Sequence, residues 1–466
     1  MIVIACGQPI RHSALKKAAR LAFLATPLLL FLALIFGAPR AIAQDESPPV
    51  PAESAGASPA SDVSDVSDAS EVGDGHVGER RADSNTGPDA VPNLLREEEE
   101  TKSNLFDVRL FDNWFDAKKR FAEDSGLSFA VDYNVLAYKA TDSVGKDDAS
   151  TGVARFLAKW DLFGRGTADT GGVVFKFENR TAYGGTPPSD LGFELGYVGL
   201  LNCCSTDQGW RTTNLYWRQS VFDSRWVTYA GFLDVTDYMN VYAMASPWTG
   251  FSNLVFATGS GSIGGLPDGA FGVMSALWAT ENLYVIGSVV DANADPTDLN
   301  VEGFFEDFET LKSLDIIWTP DRKSLLFNNI QVTLYQIDDR NKAGTKDGYG
   351  VSFSVSFAAG SKFLPFLRGG WGKDGNSLLE GSVSAGVGYQ TDPDGALLGA
   401  AFNWGRPNDG TFGTSLDDQY TAEIFYRAQV FEFLQVTPSI QFLVDPALNP
   451  DEDFVAVFGL RTRASF

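Results

Sequence analysis

Hydrophobic and polar residues alternate along the end of the sequence, residues 419–466. Between residues 420 and 430 one parity is apolar throughout, and the other parity carries Glu423 and Arg427. The runs 434–444 and 454–466 repeat the pattern, and Arg461 falls on the polar parity of the last run. Because successive side chains of a strand point to opposite faces, each run predicts a strand with one apolar and one polar face.

Two classes of protein produce this alternation. A soluble antiparallel sheet turns its apolar face inward, whereas an outer-membrane barrel turns it towards lipid and lines a wet lumen with the polar face. The barrel is favoured by a secretion signal at the start of the chain, by the aromatic Phe466 at its end, and by Tyr420 and Tyr426 where an interfacial girdle needs them. The pattern therefore predicts an all-β fold, a transmembrane antiparallel β-barrel.

Further strand candidates precede these three runs. The clearest is 349–358, in which Tyr349, Val351 and Phe353 alternate with serines. At ~20 residues per tilted strand with its connection, residues 127–466 hold ~16–17 strands, and the preference for even numbers selects 16. Residues 191–201 are interpreted as a loop. The remaining candidates are 173–180, 214–222, 226–235, 270–279, 283–291, 330–337, 363–371, 379–390 and 396–406.

The N-terminal part divides into three segments before the barrel at 127–466. Basic residues, an apolar run and the small residues Ala41 and Ala43 predict a signal peptide over 1–43. Residues 44–103 are rich in Ser, Pro, Ala, Asp and Glu, and predict a disordered acidic periplasmic segment that is dispensable for conduction. Residues 104–126 have apolar side chains at helical spacing, which predicts a short amphipathic helix that ends at Gly126.

Composition and charge exclude several functions. The net charge of −24 argues against a nucleic-acid-binding protein. The only histidines, His12 and His76, precede the predicted barrel, so histidine-dependent catalysis or zinc binding inside it is excluded. Since the chain also lacks a Gly-Lys-Ser/Thr phosphate loop, we expect no catalytic residue, no cofactor and no metal.

The connection over residues 239–269 is unusually long for a barrel. Loops of this length are often functional or fold inward, where they narrow the lumen. An ordinary external loop is equally compatible with the sequence, so both alternatives stay open.

Several motifs resemble the carbohydrate-selective porins of the OprB family. They lie at 423–427, 437–441, 445–446 and 459–466, and upstream at 215–219 and 230–234. The resemblance extends over about 111–466, and it implies an outer-membrane porin through which small sugars diffuse passively, with the N-terminal tail in the periplasm. Arg218 stands where the family usually has a glutamate, which puts the role of that position in doubt.

A charged side chain on the lumen face can select solutes, because a water-filled pore solvates it. Strand parity places Glu178, Arg180, Glu423, Arg427 and Arg461 on that face. Arg368 and Asp234 have ambiguous parity, and Arg218 enters through the resemblance. These eight residues are the predicted pore lining.

The expected partners are outer-membrane lipids, small carbohydrates and, during assembly, the barrel-insertion machinery. No nucleic acid is expected. Two alternatives remain: a structural barrel whose acidic tail contacts peptidoglycan, and an outer-membrane barrel enzyme of a kind that needs no histidine.

Overall fold

Sixteen antiparallel strands close into a barrel in the computed structural model, which describes residues 86–99, 104–106, 110–391 and 396–466. Each strand pairs with its neighbours in sequence, and β1 pairs with β16. The closed barrel and the number of strands confirm the prediction. The predicted signal peptide and residues 44–85 lie outside the described residues.

The strands are long, as tilted membrane strands are. They are β1 Leu127–Ala140, β2 Asp148–Phe163, β3 Gly171–Ala182, β4 Gly209–Val221, β5 Trp226–Leu233, β6 Ala270–Trp278, β7 Leu283–Asp291, β8 Thr310–Trp318, β9 Asn329–Ile337, β10 Gly348–Ser356, β11 Phe363–Asp374, β12 Leu379–Gln390, β13 Leu397–Pro407, β14 Gln419–Phe431, β15 Leu434–Val444 and β16 Phe454–Ser465. The helices are α1 Val91–Glu99, α2 Asp112–Ser125, α3 Pro188–Glu194, α4 Glu302–Asp307 and α5 Asp409–Phe412. Among the described residues, no helix combines the length and the apolar character that a membrane span requires.

On many strands the polar face is buried and the apolar face is exposed. On β14, Ile424 is 44% exposed whereas the neighbouring Glu423 is fully buried. On β16, Phe458 and Leu460 are exposed whereas Arg461 and Arg463 are buried. A soluble sheet would show the opposite arrangement, so the exposed face is the one that meets lipid.

The alternation did not predict three strands, β1, β2 and β8. Their inner faces carry apolar side chains beside the polar ones: Leu157 on β2 and Ile317 on β8 are almost completely buried on the lumen side. The alternation of polar and apolar residues is therefore less regular in these strands. These inner apolar residues are buried because chain inside the barrel covers them.

The two ends of the barrel differ in the length of their connections. The end at which β1 begins and β16 finishes has short turns such as 222–225 and 432–433, whereas the opposite end carries the long connections 183–208 and 234–269. Outer-membrane barrels have short periplasmic turns and longer extracellular loops. Helix α2 lies at the short-turn end and stops at Gly126, whose positive φ of 75° forms the predicted C-cap.

The long connections enter the lumen. Tyr242, Phe251 and Phe256 of the segment 234–269 are fully buried, and Phe251 packs against Phe425 of the inner wall at 4.9 Å between ring centroids. Of the two alternatives for residues 239–269, the inward loop is the one observed. Residues 191–201 form no strand, as predicted, and this segment is also buried inside the barrel.

Residues 86–99 do not fit the predicted disorder of 44–103. They form helix α1 with the turn before it, and Val91, Leu94 and Leu95 are buried in the lumen in one cluster with Leu157 and Val174 of the inner wall. The prediction is wrong for this part of the segment. The acidic residues at the end of this segment indicated disorder, so the short apolar face of helix α1 was not predicted.

Phe466 lies at the seam of the barrel, where β1 pairs with β16, and contacts residues on both sides of it. Its N–H donates to the carbonyl of Val131 at 2.8 Å, and its ring packs against Phe433 and Phe111 at 5.5 and 5.2 Å between centroids.

We expect Phe466→Asp to lower the fraction of heat-modifiable folded protein in membranes, because each aromatic contact contributes ~0.5–1.5 kcal/mol. The measurement is the gel mobility of unheated samples. Phe458→Leu, on the exposed face, is the control and should fold normally. An unchanged folded fraction for Phe466→Asp would contradict the role of this ring at the seam.

Candidate functional site

The lumen is the candidate site, because the charged side chains of many strands converge there. Seven of the eight predicted residues lie on inner faces of strands, and Asp234 follows β5 directly at the start of the inward segment. Six of them are buried; Arg218 and Arg427 keep partial exposure. Most of the predicted residues are thus covered by chain inside the barrel.

Arg368 and Glu423 anchor the inward segment 234–269. Arg368 Nη2 donates to Asn240 Oδ1 at 2.6 Å and to the carbonyl of Ala257 at 3.1 Å. The Glu423 carboxylate accepts the backbone N–H groups of Ser252 and Asn253 at 2.8 and 2.9 Å. Since buried backbone groups must be paired, these side chains replace water for a loop that lacks a sheet of its own.

Arg427 and Arg461 hold the next turn of the same segment. Arg427 Nη1 donates to the carbonyl of Thr249 at 3.0 Å, and Arg461 Nη2 donates to the carbonyl of Gly250 at 2.9 Å. Arg461 Nη1 also donates to Pro247. These two arginines therefore bind the protein's own carbonyls in the described state.

Glu178 and Arg180 form a charge network on β3. Arg180 Nη2 lies 2.6 Å from Glu178 Oε2, and Arg211 of β4 lies beside both Glu178 and Asp268. All three strand residues are buried, so the charges are paired rather than bathed in bulk water. Sequence parity located Glu178 and Arg180 but gave no indication of Arg211.

Asp234 shares a lysine with a second acid. Lys176 Nζ lies 3.2 Å from Asp234 Oδ2 and 3.2 Å from Asp237 Oδ2. This triad ties β3 to the point where the segment 234–269 leaves the wall. Arg218 lies apart from it, near the short-turn end, and donates to Thr170 Oγ1 at 2.8 Å.

Sequence reasoning missed a charged group at the seam. Arg155 of β2 forms a buried ion pair with Asp132 of β1, and Arg463 Nε of β16 approaches the same carboxylate at 3.1 Å. The signal that could have found Asp132 is its position between Val131 and Tyr133, both of which are exposed on the lipid side. Parity along β1 then places the aspartate inside.

Two buried arginines stack on aromatic faces. The guanidinium carbon of Arg368 lies 4.0 Å from the ring centroid of Tyr242, and that of Arg155 lies 4.6 Å from Trp248. Arg155 Nη1 has no hydrogen-bond partner among the described residues. Because both guanidinium groups are buried, these contacts hold Tyr242 and Trp248 of the inward segment 234–269 against the wall.

The segment 183–208 lines another part of the lumen and contacts the first inward segment. Asn202 Nδ2 donates to Ser252 Oγ at 2.9 Å, and Thr421 Oγ1 of the wall donates to Tyr197 Oη at 2.8 Å. Burial raises the pKa of Tyr197 to about 12, so the phenol stays protonated and neutral. The two inward segments therefore brace each other across the barrel.

The lumen combines several kinds of polar group. Within 86–99, 104–106, 110–391 and 396–466, no group of three His, Cys, Asp or Glu side chains is placed to hold a metal ion. Fixed charges, backbone carbonyls and aromatic faces surround the narrowed lumen, and groups of this kind can select among solutes in a water-filled pore.

Glu423→Ala removes the acceptor of two buried N–H groups. We expect it to lower the free energy of unfolding by ~2–4 kcal/mol, because each unpaired buried group costs ~1–3 kcal/mol. The measurement is denaturant unfolding of the folded barrel in detergent. Glu423→Gln keeps one acceptor and should lose less, and Ile424→Val on the exposed face should change little. Equal stability of all three variants would show that Glu423 does not anchor the segment.

Comparisons with known proteins agree with this architecture. Residues 366–466 match the family model described as carbohydrate-selective porin, OprB family. The high-pH structure of Pseudomonas putida OprB superposes with a TM-score of 0.60 at 16% identity, covering 78% of this chain and 99% of that chain. A triple mutant of the Rhodopseudomonas blastica porin gives a TM-score of 0.45 at 15% identity, covering 73% of this chain and 100% of that chain. No curated protein sequence matches significantly. The resemblance to the carbohydrate-selective porins of the OprB family is thus confirmed, by the family model over residues 366–466 and by the fold over the barrel.

Proposed function

We propose that this protein is an outer-membrane porin that allows small carbohydrates to diffuse passively through its lumen. The observation that carries the proposal is a closed barrel whose outer face is apolar and whose inner face carries charged and polar side chains on many strands. Closure satisfies every strand without an edge, so the barrel can cross a membrane. A charged lumen holds water and solutes rather than lipid.

Three features support carbohydrates as the solutes. Arginine offers a rigid fork of donors that suits neighbouring hydroxyls, and it stays charged at any working pH. Arg218 and Arg427 carry such forks on the inner faces of their strands and keep partial exposure. The match of residues 366–466 to a carbohydrate-selective porin family supports the same class of solute.

The proposed orientation follows from the connections. The short turns and helix α2 lie on the periplasmic side, and the long connections enter the lumen from the extracellular side. Arg218 and Arg427, which keep partial exposure, then lie towards the periplasmic end of the path, where a solute can reach them.

Replacing Arg218 or Arg427 with alanine tests the proposal. Each change removes a donor and a positive charge, so we expect the sugar concentration that half-blocks the ion current to rise about 5-fold, as a loss of ~1 kcal/mol predicts. The reversal potential in a salt gradient should move towards cation preference. Both are measured in planar bilayers.

Lys119→Ala is the matched control, because it removes one positive charge from the exposed side of α2 outside the lumen. It should leave sugar block and ion preference unchanged. Wild-type sugar block in both arginine variants would contradict the proposed solute path.

A further inference from the structure

Residues 86–98, which we name the lumen insert, occupy the barrel beside β1, β2 and β3. Helix α1 forms most of the insert, and Val91, Leu94 and Leu95 are at most 5% exposed. They belong to one buried cluster with Leu157 and Val174 of the inner wall. A helix with its side chains is ~10 Å across, so it takes up a large part of the lumen on that side.

Apolar side chains of the barrel wall lie under the insert. Ala130, Leu157 and Val174 are apolar residues on the inner faces of three neighbouring strands at the place where the insert lies, and they belong to a buried apolar cluster that continues along the inner faces of β5, β6 and β7. An apolar patch facing a water-filled lumen would be unfavourable. The patch is stabilised when the apolar face of α1 covers it.

Polar contacts fix the two ends of the insert. At the deep end, the N–H of Gly87 donates to the carbonyl of Asp237 at 2.6 Å, and Ser246 Oγ donates to Asp89 Oδ1 at 2.6 Å. Glycine is required at position 87, because a Cβ there would lie 2.8 Å from Val241 Cγ1 and 2.9 Å from the Asp237 carbonyl. The insert therefore docks against the inward segment 234–269 as well as against the wall.

Ion pairs fix the shallow end. Arg463 Nη1 of β16 lies 3.4 Å from Glu97 Oε2, and the side chains are only 6% and 11% exposed. Glu98 pairs with Lys118 of α2 near the end with short turns. The acidic residues that made this segment look like a disordered tail thus have specific basic partners.

We propose that the lumen insert is a built-in restriction of the channel, which lowers its conductance and sets the size of solute that passes. The proposal rests on the proposed function, since only a conducting barrel has a size limit. It reverses the expectation that the segment before the barrel is dispensable for conduction. The insert reduces the cross-section, and the paired charges keep it in place.

Two variants test the restriction in planar bilayers and in sugar-loaded liposomes. Deletion of residues 86–99 removes the insert, and Leu94→Asp places an unpaired charge in its apolar seat, which displaces it. We expect conductance that is roughly doubled or higher in both, because a helix ~10 Å across leaves the lumen. Larger oligosaccharides should then enter the liposomes.

Leu110→Asp is the matched control, because Leu110 is 69% exposed outside the cluster and the change is chemically the same. It should keep wild-type conductance. Folded variants that all share the wild-type conductance and size limit would overturn the restriction. If neither the wild-type protein nor the variants conducted, the proposed function would fail instead.

A labelling measurement tests the seat without relying on conduction. In full-length protein with Cys6→Ser, Cys203→Ser and Cys204→Ser, Leu94→Cys should react slowly with a membrane-impermeant maleimide, whereas Leu110→Cys should react rapidly. Rapid labelling at both positions in the folded barrel would overturn the proposal, whichever variants fold in the conductance experiment.

Discussion

The closed hydrogen-bonded ladder is the constraint on which the rest of the structure depends. Lipid offers no partner for a backbone N–H or C=O group, so each strand must be paired on both sides, and β1 completes the circle by pairing with β16. Successive side chains alternate between the two faces of the closed wall, apart from register shifts in β2, β4, β12 and β14. One parity then meets lipid and the other meets the lumen, which explains why exposed residues such as Phe458 and Leu460 are apolar while buried neighbours are charged.

Closure of the barrel also affects the chain that enters the lumen, because the backbone groups of the wall strands are already paired with one another. This chain has no sheet to join, so its backbone groups must find side chains on the wall. Glu423 supplies two acceptor contacts, and Arg368 and Arg461 supply donors to carbonyls of the segment 234–269. Charged residues that parity alone would assign to open water serve here as anchors. A narrow, fixed path and a stable inward segment are consequences of the same contacts.

The sequence predicted the barrel well because period two is visible in most strands, and most clearly where the inner face is polar. Strands such as β10 and β14 satisfy that condition. The inner face of β2 is less polar, because Leu157 lies there under helix α1. The sequence around Leu157 does not indicate that a helix so distant along the chain covers it. Helix α1 was not predicted for the same reason. Val91, Leu94 and Leu95 are too few to predict a buried helix, and they are buried only because they pack against residues of β1, β2 and β3. Strand parity could not predict that Arg461 binds a carbonyl of the inward segment, because parity gives the face on which a side chain lies but not the group that it contacts.

Liposome swelling with wild-type protein tests the central claim most directly. Proteoliposomes placed in isotonic solutions of mono-, di- and trisaccharides report the entry of each sugar from the change in light scattering. The account predicts swelling in monosaccharide that is well above that of protein-free liposomes and that falls steeply with sugar size, because the lumen is wet but narrowed by inward chain. Swelling no faster than in protein-free liposomes for every sugar, with the barrel folded in the membrane, would contradict it.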